Sequence, residues 1–158
     1  MSETSTTRSE PAFATIRFAG DNLVPGQITQ LLQVRPTQAY RKGEVYSAGP
    51  RSPKLKGRTG VWYFSTDKVV ASPRLNDHVA YLFGLLLPAP DRIERLVDLR
   101  ELMAKKRLKA HVTLFWHGRS KAKKPVVHPV VSAFFKLLPA DIQTDFDVDE
   151  EPPKRRVA

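Results

Sequence analysis

The chain has 158 residues, 41% hydrophobic and 27% charged, which suits one folded core and a water-soluble protein. It contains no cysteine, so disulfides, thiolate metal ligands and thiol nucleophiles are excluded. The formal charge is +10, with 22 Lys plus Arg against 8 Asp plus Glu between Pro11 and Ala140 and six carboxylates in the last eighteen positions; a basic body attracts polyanions, and equally it stays soluble.

The opening MSETSTTRSE is polar and lacks the apolar segment of a signal peptide. Residues 1–11 and 150–158 are predicted to be disordered tails around one domain at 12–149. Residues 12–19 alternate: Ala14, Ile16 and Phe18 share one face of a strand, Phe13, Thr15 and Arg17 the other. Pro25 suits the first position of a short helix with Ile28, Leu31 and Leu32 as its stripe. Residues 37–60 read as a loop rich in glycine, proline and cations, and VWYFS at 61–65 as a second strand.

Ser72-Pro73 marks a helix start, and Leu75, Val79, Leu82, Phe83 and Leu86 repeat at helical spacing up to Pro88. The longest mainly apolar stretch, 79–87, is too short to span a bilayer, so no membrane contact and a cytoplasmic location are expected. Asp91 and Glu94 suggest a capping box for the next helix, striped by Ile93, Leu96, Val97 and Met103. Its C-terminal cations Lys105, Lys106 and Arg107 complement the free carbonyls there. A third strand follows at 111–117, with Val112, Leu114 and Trp116 toward the core. Pro129 starts a fourth helix packed by Val131, Phe134, Phe135 and Leu138, and 142–148 alternates as a last strand.

The order β-α-β-α-α-β-α-β predicts an α+β fold. Its expected form is a ferredoxin-like, four-stranded, mainly antiparallel sheet with helices on one face and an extra helical insertion. The segments 12–65 and 111–148 share a strand, glycine turn, proline-started helix and strand. These residues resemble a bacterial family catalogued as domain of unknown function 4279. The resemblance is carried by Gly20, Ile28-Thr29-x-x-Leu32, Pro36-Thr37, Gly43, Gly60-Val61-Trp62, His78, Pro139-Ala140-Asp141-Ile142 and Phe146-Asp147-Val148. It implies a shared fold over most of the chain and transfers no catalytic residues.

Chemistry is sparse. His111 and His117 lie about 20 Å apart at strand rise, too far to share an ion. The serines lack a nucleophile elbow, and KLKGRTG is not a phosphate loop. No metal and no cofactor are expected. His78 reads as a core-side histidine held by hydrogen bonds.

The sharper reading concerns the sheet face away from the helices. With Ile16, Trp62, Leu114 and Phe146 turned inward, Phe13, Arg17, Tyr63, Phe115, His111 and His117 turn outward, beside the basic loops 51–58 and 119–124. The candidate partner-binding set is Phe13, Arg17, Tyr63, Phe115, His117, Arg119, Lys121, Lys123 and Lys124. It predicts a non-catalytic protein-binding or regulatory module, with an acidic protein as partner. The alternative is single-stranded nucleic acid on an aromatic and basic platform, against which Asp145 and Asp147 on the same face would repel phosphates. An enzyme whose site is not readable from sequence is the second alternative.

Overall fold

The alternating segment at the start of the chain becomes the middle strand of a five-stranded sheet. The computed structural model describes residues 11–47 and 49–150, so 1–10 and 151–158 of the predicted tails lie outside the described residues. In chain order the elements are β1 (Ala12–Gly20), α1 (Pro25–Leu32), β2 (Gln38–Tyr40), β3 (Val45–Ser47), β4 (Lys54–Lys56) and β5 (Gly60–Ser65). They continue with α2 (Leu75–Leu86), α3 (Glu94–Lys106), β6 (Lys109–Gly118), α4 (Pro129–Leu137) and β7 (Ala140–Val148). The sheet order is β2-β5-β1-β6-β7, and β3 pairs with β4 in a separate hairpin.

The α+β class holds, with four helices and a mixed sheet among the described residues. The four-stranded ferredoxin-like arrangement does not: β6 and β7 are parallel neighbours, while the other pairs are antiparallel. The physical difference lies in the two crossovers. β1–α1–β2 straddles β5, as a split β-α-β unit does, but nothing is inserted between β6 and β7. The two similar segments therefore close differently, antiparallel in β1–β5 and parallel in β6–β7. Part of the predicted loop 37–60 is also strand. β2, β3 and β4 have three residues each, too few to display an alternation.

All four helices pack on one sheet face. Ala12, Ala14, Ile16 and Phe18 of β1 meet Ile28 and Leu32 of α1, Leu82 and Leu86 of α2, Leu99 of α3 and Phe135 of α4 in one core. Trp62 of β5 is fully buried there, and its indole N–H donates to Thr29 Oγ1 at 3.0 Å. No helix among the described residues is long and apolar enough to cross a membrane.

Helix ends differ in detail from expectation. Pro25 and Pro129 do occupy first-turn positions. Neither α2 nor α3 has a side-chain cap. Ser72 Oγ instead accepts from Arg74 N–H at 3.1 Å, because α2 begins only at Leu75. The stripe of α3 runs through Leu96, Leu99 and Met103, leaving Ile93 and Val97 exposed. Arg95 of α3 spans two neighbouring helix ends: its guanidinium donates to the carbonyls of Leu85 at 3.0 Å and Leu32 at 3.4 Å. Those carbonyls lack intrahelical partners, and a cation there also complements the helix dipoles.

His78 is wholly buried on α2. Its Nε2 donates to the Ser72 carbonyl at 2.7 Å, and its Nδ1 lies 2.6 Å from Thr66 Oγ1. The same hydroxyl oxygen accepts from Ala14 N–H at 2.9 Å, while Thr66 N–H donates to the Ala14 carbonyl. A side chain thus replaces the backbone at the last rung of the β1–β5 ladder, and the histidine satisfies that side chain. The Thr66 hydroxyl, the Ala14 N–H and both ring nitrogens therefore have partners in this buried corner.

Candidate functional site

The helix-free face follows from the two-residue strand period and the registers. Phe13, Thr15 and Arg17 point to it from β1, Tyr63 from β5, and His111, Thr113, Phe115 and His117 from β6. Asp141, Gln143, Asp145 and Asp147 point to it from β7. Phe13 stands directly opposite Phe115, with ring centroids 4.3 Å apart and planes within 11°. Both rings are half-buried. Asp145 is the register partner of Phe115 on its other side, so a carboxylate borders the aromatic pair. A depression of about 290 Å³ lies between the rings, His117, Asp145 and Asp147.

His117 closes that end of the face. Its Nε2 lies 2.6 Å from Asp149 Oδ1 and its Nδ1 3.9 Å from Asp147 Oδ2, with all three side chains more than half exposed. His111, farther down the strand, is paired with Gln143 at 3.2 Å. His128 belongs to neither: its Nδ1 accepts from Val130 N–H at 3.1 Å and caps α4. No group of three or more metal-ligating side chains comes together among the described residues.

The candidate residues divide into two groups. Phe13, Phe115 and His117 sit at the end where β6 leaves the sheet through Gly118. Arg119, Lys121, Lys123 and Lys124 are exposed in the loop just beyond, which opens with a turn closed by Ala122 N–H to the Arg119 carbonyl at 2.8 Å. Arg17 and Tyr63 are register partners toward the other end, about 13 Å from Phe13 at strand rise. There the β3–β4 hairpin is tied to the sheet. Tyr46 stacks on Tyr40 of β2 at 4.0 Å, and Gln38 Nε2 donates to the Ser47 carbonyl at 3.1 Å. Burial raises the Tyr40 phenol above its ordinary 10.0; the hydrogen bond with Tyr46 adds to this, and the Arg17 charge opposes it. Burial likewise raises Tyr63, against the hydroxyls of Thr15 and Ser65 that hydrogen-bond it. The two basic loops therefore stand at opposite ends of the face, with the ring pair nearer 119–124.

Gly118 fits this corner because the Trp116 indole occupies the space a Cβ would take. A larger cavity of about 440 Å³, between the C-terminal end of α3 and the start of β7, gathers none of the candidate residues. Sequence reasoning missed the His117–Asp149 contact and the His128 cap. Only Pro129 after His128 signalled the second, by fixing where the helix begins.

The residues carrying the family resemblance hold the framework. Gly20 and Gly60 face each other in the β1–β5 pair, where a Cβ on Gly60 would lie 2.8 Å from the Gly20 carbonyl. Thr29 receives the Trp62 indole N–H, Thr37 Oγ1 accepts from Ser65 N–H at 2.9 Å, and His78 supports Thr66. No curated protein and no solved structure matches the chain. The family model described as Domain of unknown function (DUF4279) matches residues 9–149, and the chain belongs to that family.

Proposed function

We propose that this chain is a non-catalytic protein-recognition module that binds through the helix-free face of its sheet. The observation that carries the reading is the coplanar Phe13–Phe115 pair, half-buried on a face that no helix among the described residues covers and bordered by Asp145 and His117. Paired rings offer a partner apolar area at low side-chain entropy cost, and a polar surround gives orientation. The cations of 119–124 suit acidic groups on that partner at one end. The carboxylates beside the rings suit cationic groups, so the partner surface is of mixed charge rather than simply acidic.

The test is affinity capture from a native lysate under nuclease, comparing the wild-type chain with Phe115→Ala and Phe13→Ala, each checked for folding by circular dichroism. A protein retained by wild type and lost from both variants supports the reading; equal retention by all three overturns it. The nucleic-acid alternative is favoured by one observation, the basic loop next to the ring pair. Asp145 and Asp147 oppose it by placing negative charge where phosphates would run. Titration of single-stranded RNA and DNA across salt separates the two readings: binding that weakens with Phe115→Ala and falls steeply with salt would favour nucleic acid.

A further inference from the structure

β7 ends one side of the sheet, and among the described residues no strand pairs with its outer edge. Asp149 donates its N–H to the Gly118 carbonyl at 2.8 Å, on the β6 side. The two-residue period then turns the backbones of Asp141, Gln143, Asp145 and Asp147 toward β6, and those of Ile142, Thr144, Phe146 and Val148 outward. Val148 agrees, since its N–H is taken at 3.0 Å by the Asp147 side chain instead of a strand. The edge is nine residues long. The opposite edge, β2, has three residues and carries the hairpin.

Two features flank the open edge. On the helix-free face, Asp141, Asp145 and Asp147 form an exposed row. On the helix side, a cavity of about 330 Å³ opens between α4 and the start of β7, lined by Ser132, Lys136, Pro139 and Ile142 among others. A strand added to β7 would therefore meet carboxylates with one set of alternate side chains and this cavity with the other. Strand addition works in this way: main-chain hydrogen bonds supply affinity, and sites for alternate side chains supply selectivity.

We propose that β7 receives an extended basic segment of a partner protein as a sixth strand, with Lys or Arg over the aspartate row and uncharged side chains toward α4. Charge selects this occupant. A second copy pairing edge to edge would set aspartate rows against each other, and like charges across a strand pair are destabilising. The proposal rests on the reading of the chain as a protein-recognition module and fixes the partner's chemistry at the edge of that face.

The test titrates a fluorescent peptide of alternating lysine and threonine into the full chain and reads anisotropy. A peptide with glutamate for lysine and one N-methylated at alternate backbone nitrogens serve as controls. Thr144→Pro blocks the edge, because its N–H points outward and proline removes no bond to β6. Expected are saturable binding of the lysine peptide, at least about tenfold weaker binding to Thr144→Pro, and a several-fold loss with Asp145→Asn plus Asp147→Asn. The glutamate and N-methylated peptides should not bind. No binding, equal binding of the N-methylated peptide, or binding insensitive to both Thr144→Pro and the aspartate changes overturns the proposal. The N-methylated control decides even if Thr144→Pro perturbs folding. Failure here together with Phe115-dependent capture removes the edge and leaves face recognition standing, whereas capture independent of Phe115 fails that reading separately.

Discussion

Replacing Thr66 with valine keeps a branched side chain of similar shape and deletes one oxygen that serves two hydrogen bonds. That oxygen accepts from Ala14 N–H at 2.9 Å and lies 2.6 Å from His78 Nδ1, and Thr66 and His78 are both 0% exposed. His78 Nε2 donates to the Ser72 carbonyl, and the Thr66 hydroxyl is the hydrogen-bond partner of the other ring nitrogen. The valine variant leaves a backbone N–H and a ring nitrogen without partners where water does not reach. Each such group costs about 1–3 kcal/mol. The two share one corner and are not additive, so the expected loss is about 3 kcal/mol. With a urea slope of about 2 kcal/mol per molar, the unfolding midpoint falls by about 1.5 M. Thr66→Ser keeps the oxygen and removes a methyl, at a cost of about 1 kcal/mol. Equal midpoints for the two variants, or a valine variant within about 0.5 kcal/mol of wild type, would refute the argument.

Three further outcomes are expected. Arg95→Met keeps the aliphatic stem but frees the Leu85 and Leu32 carbonyls, and should cost about 1.5 kcal/mol in calorimetric stability; Arg95→Lys, which presents no planar fork, should recover only part of it. Gly118→Ala drives a methyl into the Trp116 ring and within 2.9 Å of the Ala122 Cβ position, so a loss of about 2 kcal/mol should accompany a shift in tryptophan emission. The Tyr63 phenol is raised above its ordinary 10.0, chiefly by burial, so the folded chain holds that proton after the unfolded chain has released it. Its contribution to stability is full below the unfolded pKa and is lost as pH rises through the folded one. Tyr63→Phe should flatten the decline in urea midpoint above about pH 10, and an unchanged slope would argue against the burial.

Where the chain alternates or repeats for long enough, its sequence spoke clearly. Ala14, Ile16 and Phe18 against Phe13 and Arg17 assigned both faces of β1, and Leu82 with Leu86 assigned the buried side of α2. Three-residue strands gave no such pattern. β2 pairs with β5 and β3 with β4, and Tyr40 stacks on Tyr46 between them, contacts that the glycines and prolines around them conceal. The parallel pairing of β6 with β7 was equally hidden, because a crossover helix is compatible with adjacent or separated strands. For the candidate site, periodicity placed Phe13, Phe115 and Asp145 on one face. It did not say that Phe13 meets Phe115 ring to ring, or that Arg17 and Tyr63 lie near the hairpin instead. Those facts are matters of register, which only the paired strands define.

The central position of β1 has a consequence for how the chain is made. Phe13 must find Phe115, roughly a hundred residues later in synthesis. At bacterial or eukaryotic elongation rates of about 5–20 residues per second, β1 waits on the order of 5–20 s for its second neighbour. Through that interval one side of the strand lies unpaired, with Ile16 and Phe18 covered only by what α1, β5, α2 and α3 can assemble early. β6 then arrives as the piece that completes both the core and the aromatic pair, and β7 follows it within a short crossover. A ribosome pause after β5 would prolong exposure of this central strand, whereas a pause after β7 would not.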